Sequence, residues 1–160
     1  YNFSNLSGYA FSQEVTTRLI KDFSQIVGMK DSTGNLWNNF KSKNFSMFVG
    51  SEKKLIDNLK IGGAGVISAT TNFSGSLAKK VYDDFKKTGS STEDEKLKDI
   101  RSAFDETGNL ITALHTLKSI ENKAYANLLP PLELLSENKK DELIKKLKGL
   151  GVLNNKNMAA

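Results

Sequence analysis

Lys30 directly follows the apolar run Ile26-Val27-Gly28-Met29. A short run rich in β-branched residues reads as a buried strand, and its carboxyl end is where barrels and open α/β sheets carry their reactive groups. An amine held there, poorly solvated, would be unprotonated often enough to attack a carbonyl carbon. The competing reading is a strand-end lysine that reaches solvent or pairs with Asp31. Other chemistries lack their parts. The chain has no cysteine and one histidine, His115, so thiol nucleophiles, disulfides and multi-histidine metal sites are excluded, and no metal site is expected. Serines are plentiful, yet no Gly-x-Ser-x-Gly elbow occurs. Gly62-Gly63-Ala64-Gly65 precedes a strand-like run instead of opening a helix, which argues against a phosphate-cradling loop.

The elements that must position Lys30 alternate. Runs at 26–29, 45–49 and 64–68 have the length of buried strands and are expected to lie parallel and adjacent, in sequence order. Helices are expected at 12–23, with Ser12 as N-cap, and at 51–60, where Leu55, Ile56 and Leu59 form one stripe and Gly62-Gly63 stops it. Another is expected at 76–87. Beyond Gly89 no strand-like run appears: Thr92-Glu93-Asp94-Glu95 has capping-box form, and helices are expected from there, over 109–129 and over 136–147. Three strands with two faces to cover make an incomplete α/β domain, since closed (β/α)8 barrels take roughly 250 residues. The expected organisation is part of such a barrel over 1–88, a helical extension over 89–153, and a frayed tail over 154–160.

Composition narrows the partners. The 160 residues carry a formal charge of +5, 38% hydrophobic and 26% charged residues, which is ordinary globular composition. Only Arg18 and Arg101 are arginines, and the lysines alternate with acids, as in Lys139-Lys140-Asp141-Glu142, so no nucleic-acid partner is expected. No apolar run approaches the roughly 18–20 residues that span a bilayer, and Leu143, Ile144 and Leu147 read as a docking stripe, so no membrane partner is expected. The absence of cysteine favours an intracellular, cytoplasmic setting.

The string Ile26-Val27-Gly28-Met29-Lys30-Asp31-Ser32-Thr33-Gly34-Asn35 resembles the Schiff-base lysine strand of the class I pyruvate aldolases, the family of dihydrodipicolinate synthase, N-acetylneuraminate lyase and 2-keto-3-deoxygluconate aldolase. Tyr1-Asn2-Phe3-Ser4-Asn5-Leu6-Ser7-Gly8 is similar to that family's tyrosine motif at the fifth strand. Phe48-Val49-Gly50-Ser51-Glu52 resembles the end of its seventh strand, and Gly62-Gly63-Ala64-Gly65-Val66-Ile67-Ser68 its eighth. The resemblance runs from Tyr1 to about Leu153 and implies the C-terminal half of a (β/α)8 barrel with a helical carboxyl extension.

It implies further that Lys30 forms an imine with a 2-keto acid, with no cofactor, and that Tyr1 shuttles protons. Ser32 and Thr33 would lie beside the imine, Gly50, Ser51 and Glu52 would meet the distal part of the substrate, and Ile67 and Ser68 would line the pocket floor. From the residues alone, Thr33 reads as a cap before Leu36, Glu52 as a favourable charge at a helix start, and Ile67 as core. Two departures bear on the substrate: Ser4 stands where the family often has proline, and Leu6 where dihydrodipicolinate synthases usually carry a carboxylate-binding arginine. The string Gly50-Ser51-Glu52-Lys53-Lys54-Leu55-Ile56 is closer to archaeal 2-keto-3-deoxygluconate aldolases. The expected reaction is therefore reversible cleavage of 2-keto-3-deoxygluconate to pyruvate and glyceraldehyde. The alternatives are an N-acetylneuraminate lyase or dihydrodipicolinate synthase-like aldolase, or a non-catalytic half-barrel subunit. The family's Gly-Thr-Thr-Gly type loop for the pyruvate carboxylate is absent from the chain. The implied partners are the remaining N-terminal half of the barrel, small 2-keto acids and aldehydes, and further copies in a homotetramer.

Overall fold

In the computed structural model, which describes residues 1–153, three parallel strands pair in sequence order. They are β1 (Gly28–Asp31), β2 (Ser46–Val49) and β3 (Gly65–Val66). Lys30 lies opposite Phe48 and Asp31 opposite Val49, while Phe48 and Val49 face Gly65 and Val66 across the next pair. The sequence places the first strand two residues too early: Ile26 and Val27 only lead into it, and Lys30 is its third residue. Gly28 is needed where β1 begins, because a Cβ there would meet the Ser46 carbonyl oxygen at 2.7 Å.

The chain divides into two compact units: Tyr1–Ser68 with Lys79–Thr92, and Ala69–Ala78 with Glu93 onward. This differs from a cut near residue 88, because residues 69–78 group with the carboxyl-terminal helices. The expected tail at 154–160 lies outside the described residues. No helix among the described residues is long and apolar enough to cross a membrane.

In the first unit, α1 (Ser4–Ser7) is a single turn closed by Gly8, whose φ of 70° suits glycine. Ser12 caps α2 (Gln13–Asp22) by accepting from the Val15 amide at 3.1 Å. The apolar cluster beside the sheet holds Leu36, Phe40 and Met47, with Phe11, Ile20 and Phe45 packed around it. After β2, a 3-10 turn (Glu52–Lys54) leads into α3 (Leu55–Lys60), whose Leu55, Ile56 and Leu59 are buried as their spacing predicts. Asn58, buried inside that stripe, donates from Nδ2 to the carbonyls of Met47 at 3.1 Å and Gly65 at 2.9 Å, tying α3 to β2 and β3. Gly63 leaves room for it, since a Cβ there would lie 2.1 Å from Asn58 Oδ1.

The helix α4 (Thr71–Thr88) starts five residues earlier than its periodicity suggests and departs from helical geometry at Ser74. In the second unit, α5 (Asp94–Asp105), α6 (Leu110–Glu121) and α7 (Glu137–Gly149) bury Ile100, Phe104, Leu117, Leu143 and Leu147 in one cluster. Two expectations fail here. The Thr92 capping box does not form, because α5 begins at Asp94 behind Glu93, which makes no side-chain cap. The helix expected to reach residue 129 ends at Glu121: Asn122 is extended and its Oδ1 accepts from the Ala124 amide, opening a separate 3-10 turn (Lys123–Ala126).

Candidate active site

Lys30 is half-buried near the carboxyl end of β1, and its Nζ lies 4.1 Å from the centroid of the Tyr1 ring. It is the face of the ring that Nζ meets. Tyr1 is 63% exposed and stacks on Phe3 with centroids 5.6 Å apart, so its position is set from below by backbone. That backbone is Asn2, whose amide donates to the Lys30 carbonyl at 2.8 Å and whose carbonyl accepts from the Ser32 amide at 2.9 Å. These two bonds make a parallel bridge between the Tyr1 segment and β1.

Gly50 shapes the other side of the lysine. A Cβ at Gly50 would stand 1.8 Å from Ser32 Oγ and 3.3 Å from Lys30 Cε, so any side chain would displace both. Lys30, Ser32 and Gly50 thus lie against one another, while the Ser51 hydroxyl is occupied locally. Its Oγ accepts from the Lys53 amide at 3.4 Å and starts the 3-10 turn.

Glu52 departs from its expected role at the open end of the site. It is 1% exposed, and Ser68 Oγ donates to its Oε2 at 2.9 Å, joining the ends of β2 and β3. Ser68 is buried with it at 7% exposure, whereas Ile67 is 48% exposed and makes no part of the buried core of this chain.

Asp31 does not pair with Lys30. Successive side chains on a strand point to opposite faces, and Asp31 is 1% exposed on the face away from the amine. Its Oδ2 accepts from the amides of Leu36 and Trp37, both at 2.9 Å, and its Oδ1 from the Thr33 amide at 3.0 Å and the Thr33 hydroxyl at 2.6 Å. Burial pushes its carboxyl up, but these donors together outweigh burial and hold it below the ordinary aspartate value. Thr33, expected beside the imine or as a cap, is thus committed to the loop. The capping of Leu36 is done by Asp31 instead, and no helix follows.

Asn2 completes this network and was not singled out by the sequence. It is fully buried, its Nδ2 lies within bonding distance of Asp31 Oδ1 at 3.0 Å, Thr33 Oγ1 at 3.1 Å and Asn35 Oδ1 at 3.0 Å, and its Oδ1 accepts from the Phe11 amide at 3.0 Å. The only local signal is a polar residue between two aromatics in Tyr1-Asn2-Phe3, where a strand would bury every second side chain.

Parallel strands whose carboxyl ends gather a half-buried amine and an aromatic face make this an α/β protein with a lysine near the sheet's carboxyl edge. The chain belongs to the dihydrodipicolinate synthetase family, whose model matches residues 1–150. Members of that family are class I aldolases that work through a lysine Schiff base without an external cofactor. The match takes in the N-terminal 150 residues of this chain and does not carry the expectation that the chain is the C-terminal part of such a protein.

A probable 2-dehydro-3-deoxy-D-pentonate aldolase of Escherichia coli (strain K12) is 30% identical over 165 aligned positions, covering 96% of this chain and 55% of that protein. A 4-hydroxy-tetrahydrodipicolinate synthase of Methanopyrus kandleri is 27% identical, covering 96% of this chain and 53% of that protein. The chain therefore spans about half the length of the curated relatives it matches. Among solved structures, a prophage protein of the dihydrodipicolinic acid synthase family from Escherichia coli K12, in complex with pyruvate, matches with a TM-score of 0.79 at 20% identity, covering 96% of this chain and 55% of that one. The N-acetylneuraminate lyase of Fusobacterium nucleatum matches with a TM-score of 0.75 at 18% identity, over 91% of this chain and 52% of that one. The shared fold is α/β, with the three-stranded parallel sheet as part of the barrel those proteins form.

Proposed function

We propose that this chain carries the imine-forming part of a pyruvate-dependent aldolase that reversibly cleaves 2-keto-3-deoxygluconate to pyruvate and glyceraldehyde. The observation that carries the reading is Lys30 at the carboxyl edge of a parallel sheet, with Tyr1 over its Nζ at 4.1 Å. The Lys30 amine adds to the keto carbon of the substrate, and loss of water leaves a protonated imine. Tyr1 gives its phenolic proton to the departing water as the imine forms; the carbon–carbon bond then breaks with its electron pair passing into the imine, giving an enamine, while the substrate's hydroxyl proton returns to the Tyr1 oxygen and the aldehyde leaves. Protonation of the enamine and hydrolysis return pyruvate and the free amine. The face of the Tyr1 ring adds a second service, since a π face attracts the cationic nitrogen of the imine.

The choice of a sugar acid rests on Leu6, which offers no cation to a second carboxylate, and on the pentonate aldolase among the relatives. With Glu52 enclosed, Ser51 is the nearer candidate for a distal hydroxyl. In this reading the remaining strands and the carboxylate-binding loop come from the rest of a barrel, which then assembles as a homotetramer. This chain by itself should show little or no activity; in the complete barrel, borohydride reduction with pyruvate should leave one N-carboxyethyl group, on Lys30 alone, and Lys30→Ala should abolish it. An adduct on Lys53 or Lys54, or no adduct, overturns the assignment.

A further inference from the structure

We infer that Asn2 is a positioning residue for the Tyr1–Lys30 pair, its buried amide clamping the Tyr1 segment to the lysine strand so that the ring stays over the amine. The inference rests on the aldolase reading and extends it to a residue that touches neither substrate nor the reacting atoms.

Tyr1 itself is poorly restrained: its ring is mostly exposed, and the one ring it stacks on, Phe3, belongs to the same short segment. Its neighbour is the opposite case. Asn2 is 0% exposed, and its side chain reaches across 29, 31 and 33 positions to Asp31, Thr33 and Asn35. An amide nitrogen has two protons, so the three acceptors around Nδ2 compete for them, and the Asp31 carboxylate is the strongest of the three. Asp31 is itself fixed by the backbone amides of Leu36 and Trp37. Asn2 Oδ1 is taken by the Phe11 amide, so the amide cannot be turned over without losing bonds at both ends. The backbone of Asn2 meanwhile bonds on both sides of the lysine, to the Lys30 carbonyl and the Ser32 amide. Side chain and backbone thus register Tyr1 against Lys30 from one buried residue. Catalytic groups displaced by about 1 Å can lose roughly a hundredfold in rate, so a clamp of this kind controls chemistry without taking part in it.

Asn2→Asp keeps the shape and removes the donor, setting a carboxylate against Asp31. The double variant Asn2→Asp with Asp31→Asn restores a donor and an acceptor across the 3.0 Å gap. The gentler Asn35→Ala, at an exposed position, removes one acceptor and guards against a variant that fails to fold. Each is tested in the complete barrel by borohydride trapping with pyruvate, by kcat and KM for aldol cleavage, and by the NMR shift of the Lys30 ε-protons. Those protons are moved upfield by the ring current of a tyrosine held in place.

Asn2→Asp should lower kcat and the trapping rate about tenfold or more with little change in KM, and should erase the ring-current shift. The double variant should recover part of both, and Asn35→Ala should show a small change in the same direction. If the parent traps pyruvate on Lys30 and folded Asn2→Asp does so at the parent rate with the shift intact, the clamp is refuted and the aldolase reading stands. If Asn2→Asp only lowers the melting temperature and the double variant recovers nothing, the role is structural and the clamp is likewise refuted. A parent that traps no pyruvate overturns the aldolase reading itself, and the clamp with it.

Discussion

The two units bury polar groups in different ways. In the unit that holds the sheet, Thr16 and Ser68 are buried, with Thr16 donating to the Ser12 carbonyl at its own helix start, but the buried polar side chains are chiefly amides and carboxylates: Asn2, Asp31, Glu52 and Asn58 are all at or below 1% exposure. Their partners are distant in sequence, as Asn2 is from Asp31 and Glu52 from Ser68. In the helical unit the buried polar groups are mostly threonines bonded to their own helix, Thr116 Oγ1 to the Thr112 carbonyl at 2.8 Å and Thr107 Oγ1 to the Phe104 carbonyl at 2.7 Å. There the interior is otherwise Ile100, Phe104, Leu117, Leu143 and Leu147. Apolar burial supplies stability with little regard to angle, while buried hydrogen bonds to charged groups fix direction. The unit with the lysine is the one whose parts need direction.

The comparison breaks most visibly at Phe104, which is 0% exposed and packs against Phe73 with centroids 5.5 Å apart and the rings tilted by 55°. Phe104→Ala should cost about 3–5 kcal/mol and strip amide protection from α5, α6 and α7 in hydrogen exchange. A loss below about 1 kcal/mol would mean the cluster can collapse around the gap, and the helical unit would not be governed by its apolar interior.

Asp31 sharpens the other side. Asp31→Ala leaves the Leu36 and Trp37 amides without their acceptor and should cost about 2–3 kcal/mol. Its folded carboxyl titrates below the ordinary value of 3.8, so its contribution is complete above that value and is lost as pH falls through the lower folded one. Denaturant midpoints for β1 and its loop should therefore drop on acidification below about pH 4, and Asp31→Asn should flatten the drop. An equal acid slope in parent and variant would remove Asp31 from the account.

The sequence showed the periodic features and missed the wired ones. Three parallel strands in order, the Ser12 cap, the apolar stripe of α3 and the lysine at a strand end all follow from patterns a few residues long. Asn2 and Asp31 meet across 29 positions, and nothing in either neighbourhood announces the other. Glu52 reads in sequence only as a favourable charge at a helix start, and nothing beside it signals burial. Its burial depends on Ser68, which reaches it only once β2 and β3 pair. The helix at 109–129 was overextended because the apolar pattern continues through Tyr125 and Leu128, while Asn122 ends it by caging its own backbone.

The smallest effect expected separates surface charge from buried wiring. On α5, Lys98 Nζ lies 2.6 Å from Asp94 Oδ2 and 2.9 Å from Glu95 Oε1, with its side chain 31% exposed. The hydrogen bond that Lys98 donates to Asp94, and then that to Glu95, raise the lysine above its usual value of 10.5, burial opposing them. A group raised on folding stabilises fully below its unfolded value, and the contribution fades only as pH climbs through the folded one, so nothing should change between pH 5 and 9. Pairs on a solvated helix face contribute about 0.3–1 kcal/mol and are screened by salt. Lys98→Met should thus lower the melting temperature by roughly 1–4 °C at low salt, and by less at 0.5 M salt, where the Debye length is only about 4 Å. A loss as large as that of Asp31→Ala, and indifferent to salt, would show the helical unit to be wired in the same way as the sheet. The contrast between the units would then fail at the point where it should be safest.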